Sequence, residues 1–323
     1  MALHYYNKDL CRIRTITTFL SLTEDKTSWK KHILKASRFC AELSNTFVEN
    51  GYVVQSVRIV TNPFGEYLNT ESLESAREDL AYLSGLLNSS DLAGIRIRFA
   101  IGEARTQDEI NLLPELVKEF GDLCNACVNV DLDDAGMLDN TLIRYAAEAV
   151  SEISRITPRG EGNFNFTVNF NCDPLIPYFP AGYHRKALGD RFVVGLETPD
   201  LLVEVLKEFN RNSAVGTHTD LFKGYYEVMR EALQYHIATI HNVIAQSTID
   251  KPFTFSGFDS SAAPSKNCAS MVDVYVQLGV AYFGASGTVV ASWLLTRVFI
   301  CVRGVARVGF SGRVLAVAVD TGV

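Results

Sequence analysis

The chain has 323 residues, 47% of them hydrophobic, and a net charge of −7 at pH 7. It is long enough for one large α/β domain or two modest ones, and the lack of any basic block argues against a nucleic-acid partner. Its seven cysteines are unevenly spaced, which does not suit a secreted disulfide framework and fits reduced thiols in a cytoplasmic protein.

The N-terminal stretch MALHYYNKDLCRIRT has no apolar core of signal-peptide length. Cys11–Leu22 then reads as a strand and Lys26–Asn50 as a helix, with Gly51 as its stop. The alternation continues: strand Val53–Thr61, helix Thr70–Leu87, strand Ile95–Ala104, helix Thr106–Phe120, strand Cys124–Leu132, helix Met137–Ile156. In GNFNFTVNFN, Phe164, Phe166, Val168 and Phe170 alternate with Asn163, Asn165, Thr167, Asn169 and Asn171, the period of a fifth strand. A loop with three prolines follows, CDPLIPYFPAGYHR, and prolines stiffen such a loop. The pattern resumes with strand Arg191–Glu197, helices Pro199–Asn210 and Lys223–Gln246, and strand Pro252–Ser261. Helices Ser270–Tyr282 and Gly287–Val302 and a strand-like run Val305–Val319 complete it. The uncharged stretch between Asp273 and Arg297 is long enough to span a membrane. Its Gly-Ala-Ser-Gly break suits two buried elements joined by a turn instead, so no membrane partner is expected.

Strands alternating with helices imply βαβ units and a parallel sheet. Right-handed crossovers then gather the strand C-termini on one rim. That rim would carry Thr17, Thr61, Asn62, Glu103, Asp131, Asn169, Asn171, Glu197, Asp259, Ser260 and Ser261, an acidic and amide-rich set. Each residue could instead cap the following helix. Asp131 and Asp133, with Asp134 and Glu103 nearby, could hold a divalent cation such as Mg²⁺, or could favour a helix N-terminus. Cys124 and Cys127 form a CxxC at a strand start, which reads as buried cysteine rather than a redox pair. Cys172, Asp173 and His184 supply a thiol, a carboxylate and an imidazole, the parts of nucleophilic catalysis. The same loop could be a packed connector. His184, followed by Arg185, is expected to be exposed on the loop, able to bind an anion or act as an acid. His236 and His241 do not have the spacing of helical metal ligands. Ser286, Gly287 and Thr288 open a helix where free N–H groups would suit an anion, or simply pack.

The segments IRTITTF, VRIVTNPFGEYL, NFNCDPLIPYFPAGYHR with FVVGLE, FDSSAAPS, FGASGT and VGFSGRVLAV, taken in order, resemble the domain-of-unknown-function 711 family, the UPF0210 group. The resemblance implies a fold similar to pyruvate formate-lyase and other glycyl radical enzymes: a ten-stranded α/β barrel of two parallel halves, with a loop between them reaching inside. On that expectation residues 1–323 form one domain, with half-barrels at about 11–170 and about 190–323. Gly162–Arg185 would supply the inserted finger and place Cys172 near the barrel axis. Arg307–Phe310 lacks the intervening residue of the RVxGY-like segment, so radical chemistry is not expected. Family members usually continue beyond VGFSGRVLAVAVDTG, which implies a shortened, incomplete barrel. Its open strand edge would favour a homo-oligomer. The resemblance supplies no reaction. The expected function is an enzyme acting on a small anionic or polar metabolite, or a non-catalytic metabolite-binding relative.

Overall fold

The computed structural model describes residues 4–89, 96–212 and 218–312. Its first half runs β1 (Arg12–Leu20), α1 (Trp29–Glu49), β2 (Val57–Thr61), α2 (Leu73–Leu87), β3 (Ile97–Glu103), α3 (Gln107–Phe120), β4 (Asn125–Val130), α4 (Asn140–Ile156) and β5 (Phe166–Phe170). The second runs β6 (Arg191–Glu197), α5 (Pro199–Asn212), α6 (His218–Gln246), β7 (Thr254–Asp259), α7 (Met271–Gln277) and α8 (Thr288–Ile300). Several of the helices start where side chains satisfy their free N–H groups. Ser72 caps α2 and Asp139 caps α4. Thr106 and Glu109 form a reciprocal capping box on α3.

The strands make one seven-stranded sheet in the order β5-β4-β3-β2-β1-β6-β7. Strands β1 to β5 pair in parallel, β6 runs antiparallel to β1, and β7 is parallel to β6. This corrects two expectations. The sheet is an open, curled half-barrel, not a closed ten-stranded barrel of the pyruvate formate-lyase type. Among the described residues β5 has no partner on its outer edge, and β7 carries only a parallel bridge between Phe258 and Arg307. The strand C-termini also do not share one rim. Because β6 is reversed against β1, Glu197 lies beside Arg12, and Gly195 is paired with Asp259. The ends of β6 and β7 therefore sit at the edge where β1 begins.

Alternation along each strand divides the sheet into two faces. Ile13, Ile16, Ile59, Phe99, Ile101, Val128, Val130, Phe192, Val194 and Leu196 join the helices in the main hydrophobic core. The opposite face carries Thr15, Thr17, Phe19, Arg58, Val60, Ala100, Cys127, Asn129, Asn169 and Val193. It is covered by the loop after β5, whose Leu175, Ile176, Tyr178, Phe179 and Tyr183 pack onto it in two smaller clusters. We call this loop, residues 171–185, the finger.

Three smaller expectations change. Residues 158–165 form a 3-10 stretch, and Phe164 is exposed, so the alternation of β5 begins at Phe166. The strand expected from Val305 is only the bridge at Arg307 as far as Gly312, and the rest of that run lies outside the described residues. The uncharged stretch after Asp273 does hold the two expected helices, α7 and α8, but α7 ends at Gln277 and α8 is not fully buried, leaving Val289 and Trp293 exposed. No helix among the described residues is long and apolar enough to cross a membrane.

Candidate functional site

The ends of β3, β4 and β5 build the most polar part of the finger face. A bulge between Ala100 and Gly102 resets the register of β3, so that Glu103 stands opposite Cys127. Gly102 has φ +87, and a Cβ there would lie 2.4 Å from the Asn62 carbonyl oxygen. Gly102→Ala is therefore expected to cost ~2 kcal/mol through strain and backbone contact. Denaturant unfolding measures this, and an unchanged midpoint would show that the bulge relaxes freely.

Glu103 is 2% exposed. Its Oε1 accepts hydrogen bonds from Arg105 Nε at 2.7 Å and pairs with Arg185 Nη1 at 3.2 Å. Its Oε2 accepts from Asn129 Nδ2. Asn129 Oδ1 in turn accepts from Asn169 Nδ2 at 2.7 Å, and Asn169 also donates to Ala181 O of the finger at 3.0 Å. Arg105 reaches Glu66 at 2.6 Å, and Arg185 reaches Asp131 at 3.7 Å. Three carboxylates thus meet two guanidinium groups around one buried acid, and the set ties the finger to three strand ends. Charge-assisted bonds of this kind are the strong ones.

The finger descends from this edge and returns to it. Its descending and returning limbs are joined by Leu175 N donating to Tyr183 O at 3.3 Å, and by Tyr183 OH donating to Cys172 O at 2.5 Å. At the tip, Pro177 O accepts from Thr17 Oγ1 at 3.0 Å and Arg58 Nη1 at 3.2 Å, and Tyr178 OH donates to Leu196 O at 3.1 Å. Glycine at 182 is required by packing, since a Cβ would lie 2.8 Å from Ile176 O and 3.1 Å from Val60.

His184 ends the returning limb. It is fully buried, with its ring 6.1 Å from that of Phe19, and neither ring nitrogen has a hydrogen-bond partner. Burial pushes its pKa down to about 4, against the opposing pull of Asp190. The imidazole is neutral at neutral pH. This overturns the expectation of an exposed His184. Leaving buried polar atoms unpaired costs about 1–3 kcal/mol each, so this ring is poised for a partner.

A family model, Uncharacterised ACR (DUF711), matches residues 5–323. The chain belongs to the DUF711 family. No curated protein matches it.

The other expected site residues of this DUF711 chain are dispersed. Cys172 is half-buried at the base of the finger, its thiol donating to Phe170 O at 3.3 Å. Burial, and then Asp131 and Asp173, push the thiol pKa up, while the Phe170 bond opposes them. Asp173 and Asn171 are exposed. No hydrogen bond joins Cys172 to His184. Asp133 accepts from the backbone of Ala135 and Met137, so it closes a turn, while Asp131 faces Arg185. Among the described residues no group of three or more His, Cys, Asp or Glu side chains is placed to hold a metal ion. Ser286 and Gly287 lie on an exposed turn, and Thr288 Oγ1 accepts from Gly284 N at 3.1 Å and donates to Ala285 O at 2.7 Å. Those bonds close the turn on itself, and α8 starts after Gly287 without a side-chain cap. Cys124 and Cys127 are both buried free thiols, Cys124 pushed up to about 12 by burial. His236 is a core residue held by Tyr52 OH at 3.1 Å and Tyr5 O at 2.7 Å.

Sequence reasoning missed Asn129, Arg58 and Arg105. The paired tripeptides Val128-Asn129-Val130 and Val168-Asn169-Phe170 were a usable signal: an asparagine between apolar residues on neighbouring strands marks an amide ladder.

Proposed function

We propose that this chain binds a small polar metabolite at the finger face, in the region framed by His184, Glu66, Glu103, Arg105, Arg185 and Asn169. The buried imidazole of His184, with both nitrogens unpartnered, carries this reading. A neutral imidazole offers one donor and one acceptor, which suits a hydroxyl or amide group. The Glu103 cluster beside the finger contributes both signs of charge, so a ligand with an anionic or a cationic end would find a counter-charge there. The site is organised for recognition, because its charged groups already satisfy one another and hold the finger in place.

Thermal-shift screening against polar metabolites, followed by calorimetric titration of the best hit, tests the proposal. His184→Ala should weaken that binding about tenfold, the worth of a hydrogen bond to a buried group. Binding that is unchanged in both His184→Ala and Arg185→Gln would sink it. A second reading, catalysis by Cys172, Asp173 and His184, draws on the partial exposure of the Cys172 thiol beside Asp131 and Asp173. It predicts turnover of the bound metabolite, abolished by Cys172→Ser. Turnover that survives in Cys172→Ser would reject that role.

A further inference from the structure

The opposite end of the finger face carries a cluster of a different kind. Arg58 and Arg98 are directly paired Cα partners on β2 and β3, and Thr17 of β1 pairs with Arg58 on its other side. Arg14 lies at the irregular stretch of β1 between Ile13 and Thr15, its Nη1 donating to Gln55 Oε1 at 2.8 Å. Arg58 is 5% exposed, with its guanidinium 4.9 Å from the centre of the Phe179 ring. Its Nη1 holds Pro177 O at 3.2 Å, and its Nε is buried without a hydrogen-bond partner. Among the described residues none of these three arginines forms an ion pair within 4.0 Å.

Like charges directly opposite one another in a sheet are destabilising, and an unpaired buried charge costs more. Burial first, then Arg14 and Arg98, push the Arg58 pKa down to about 9, with Tyr178 opposing. Arg58 stays cationic at neutral pH and feels both neighbours. Support of the fingertip accounts for the Phe179 stacking and the Pro177 bond. It does not account for the idle Nε, or for a second arginine set beside the first with no acid in reach.

We infer that Arg14, Arg58 and Arg98, under the fingertip residues Pro177 and Phe179, form a binding site for a phosphoryl group. Guanidinium groups present planar donor forks that match phosphate oxygens. A phosphoryl group carries about −1.5 to −2 charge and three strong acceptor oxygens, a closer match to three cations than one carboxylate. Arg98 is exposed, so the cluster is reachable from solvent at the start of the strands. It stands five residues before Glu103 along β3, and the inference does not depend on the reading of the His184 region.

The test is titration of inorganic phosphate into the full chain, with ionic strength held constant by chloride and binding followed by thermal midpoint and by calorimetry. A parallel arm uses malonate, a dicarboxylate. Phosphate should raise the midpoint saturably and bind at least tenfold tighter than malonate. Arg98→Gln and Arg14→Gln, both at solvent-accessible positions, should each weaken phosphate at least tenfold while unfolding cooperatively as the parent does. Arg58→Lys keeps a charge but loses the fork, and should weaken phosphate by a similar factor. No saturable phosphate effect overturns the inference. So does phosphate binding unchanged in both Arg98→Gln and Arg14→Gln, or malonate binding as tightly as phosphate.

Discussion

Asp259→Ala should destabilise the protein by about 4 kcal/mol, the largest single loss expected from one side chain here. Asp259 is fully buried at the end of β7. Its Oδ1 accepts from Ser261 N at 2.9 Å, Ser261 Oγ at 2.5 Å and Ser311 N at 3.1 Å, and its Oδ2 accepts from Phe310 N at 2.8 Å. Burial nevertheless raises its pKa, so desolvation outweighs the pull of these donors on its charge. Truncation would strand all of them. Asp259→Asn should cost less, about 1–2 kcal/mol, because an amide oxygen can serve the Oδ1 partners and only the Phe310 amide faces a donor. Amide exchange at Phe310 and Ser311 should accelerate in both variants, since the carboxylate ties these two residues to a strand some fifty positions earlier, with Gly312 N held by Ser261 Oγ beside it. Denaturant unfolding and hydrogen exchange read the two effects. An Asp259→Ala protein within about 0.5 kcal/mol of the parent, the range of an ordinary surface change, would show that the anchor is not energetically important.

Acidification should weaken the fold between about pH 6.5 and pH 4 through His184 and His236. Both imidazoles are pushed down to about 4 by burial, from an ordinary value of 6.5. Above 6.5 neither the folded nor the unfolded chain protonates them, and their contribution is fully present. Below 6.5 the unfolded chain takes up protons that the folded chain refuses, so stability falls by about 1.4 kcal/mol per pH unit for each histidine. The loss approaches about 3 kcal/mol per group near pH 4 and then levels off as the folded imidazoles protonate. Chemical denaturation at a series of pH values should give a shallower slope in His184→Gln and in His236→Gln, each by one proton. Parallel curves for parent and variants would refute the assignment. The two variants should differ at neutral pH. His236→Gln breaks hydrogen bonds to Tyr52 and Tyr5, whereas His184 makes none to lose.

The candidate site was only partly legible. Glu103 and Asn169 are visible as polar residues at strand ends, and both belong to the cluster. Arg58 reads as one charge in the strand Val53–Thr61, and nothing local sets Arg98 beside it. Asp259 reads as a helix cap, because its partners Phe310 and Ser311 are distant in sequence. His184 sits between Tyr183 and Arg185 in a proline-rich loop, a context that suggests exposure. It is buried because Tyr183 and Gly182 fold the returning limb back onto the sheet.

The sequence by itself determined the elements and the family. Helical and strand periodicities are local, so the order of strands and helices and most of their boundaries follow from neighbouring residues. Tertiary structure alone decided that β6 runs against β1, that the sheet stays open, and that the later strand ends face the opposite edge from the first five. The strand β6 is buried along nearly its whole length, so its pattern favours neither face, direction nor neighbour. Pairing is settled by long-range contacts, and those same contacts set Glu103 against Arg185, Arg58 against Arg98, and the finger across the polar face of the sheet.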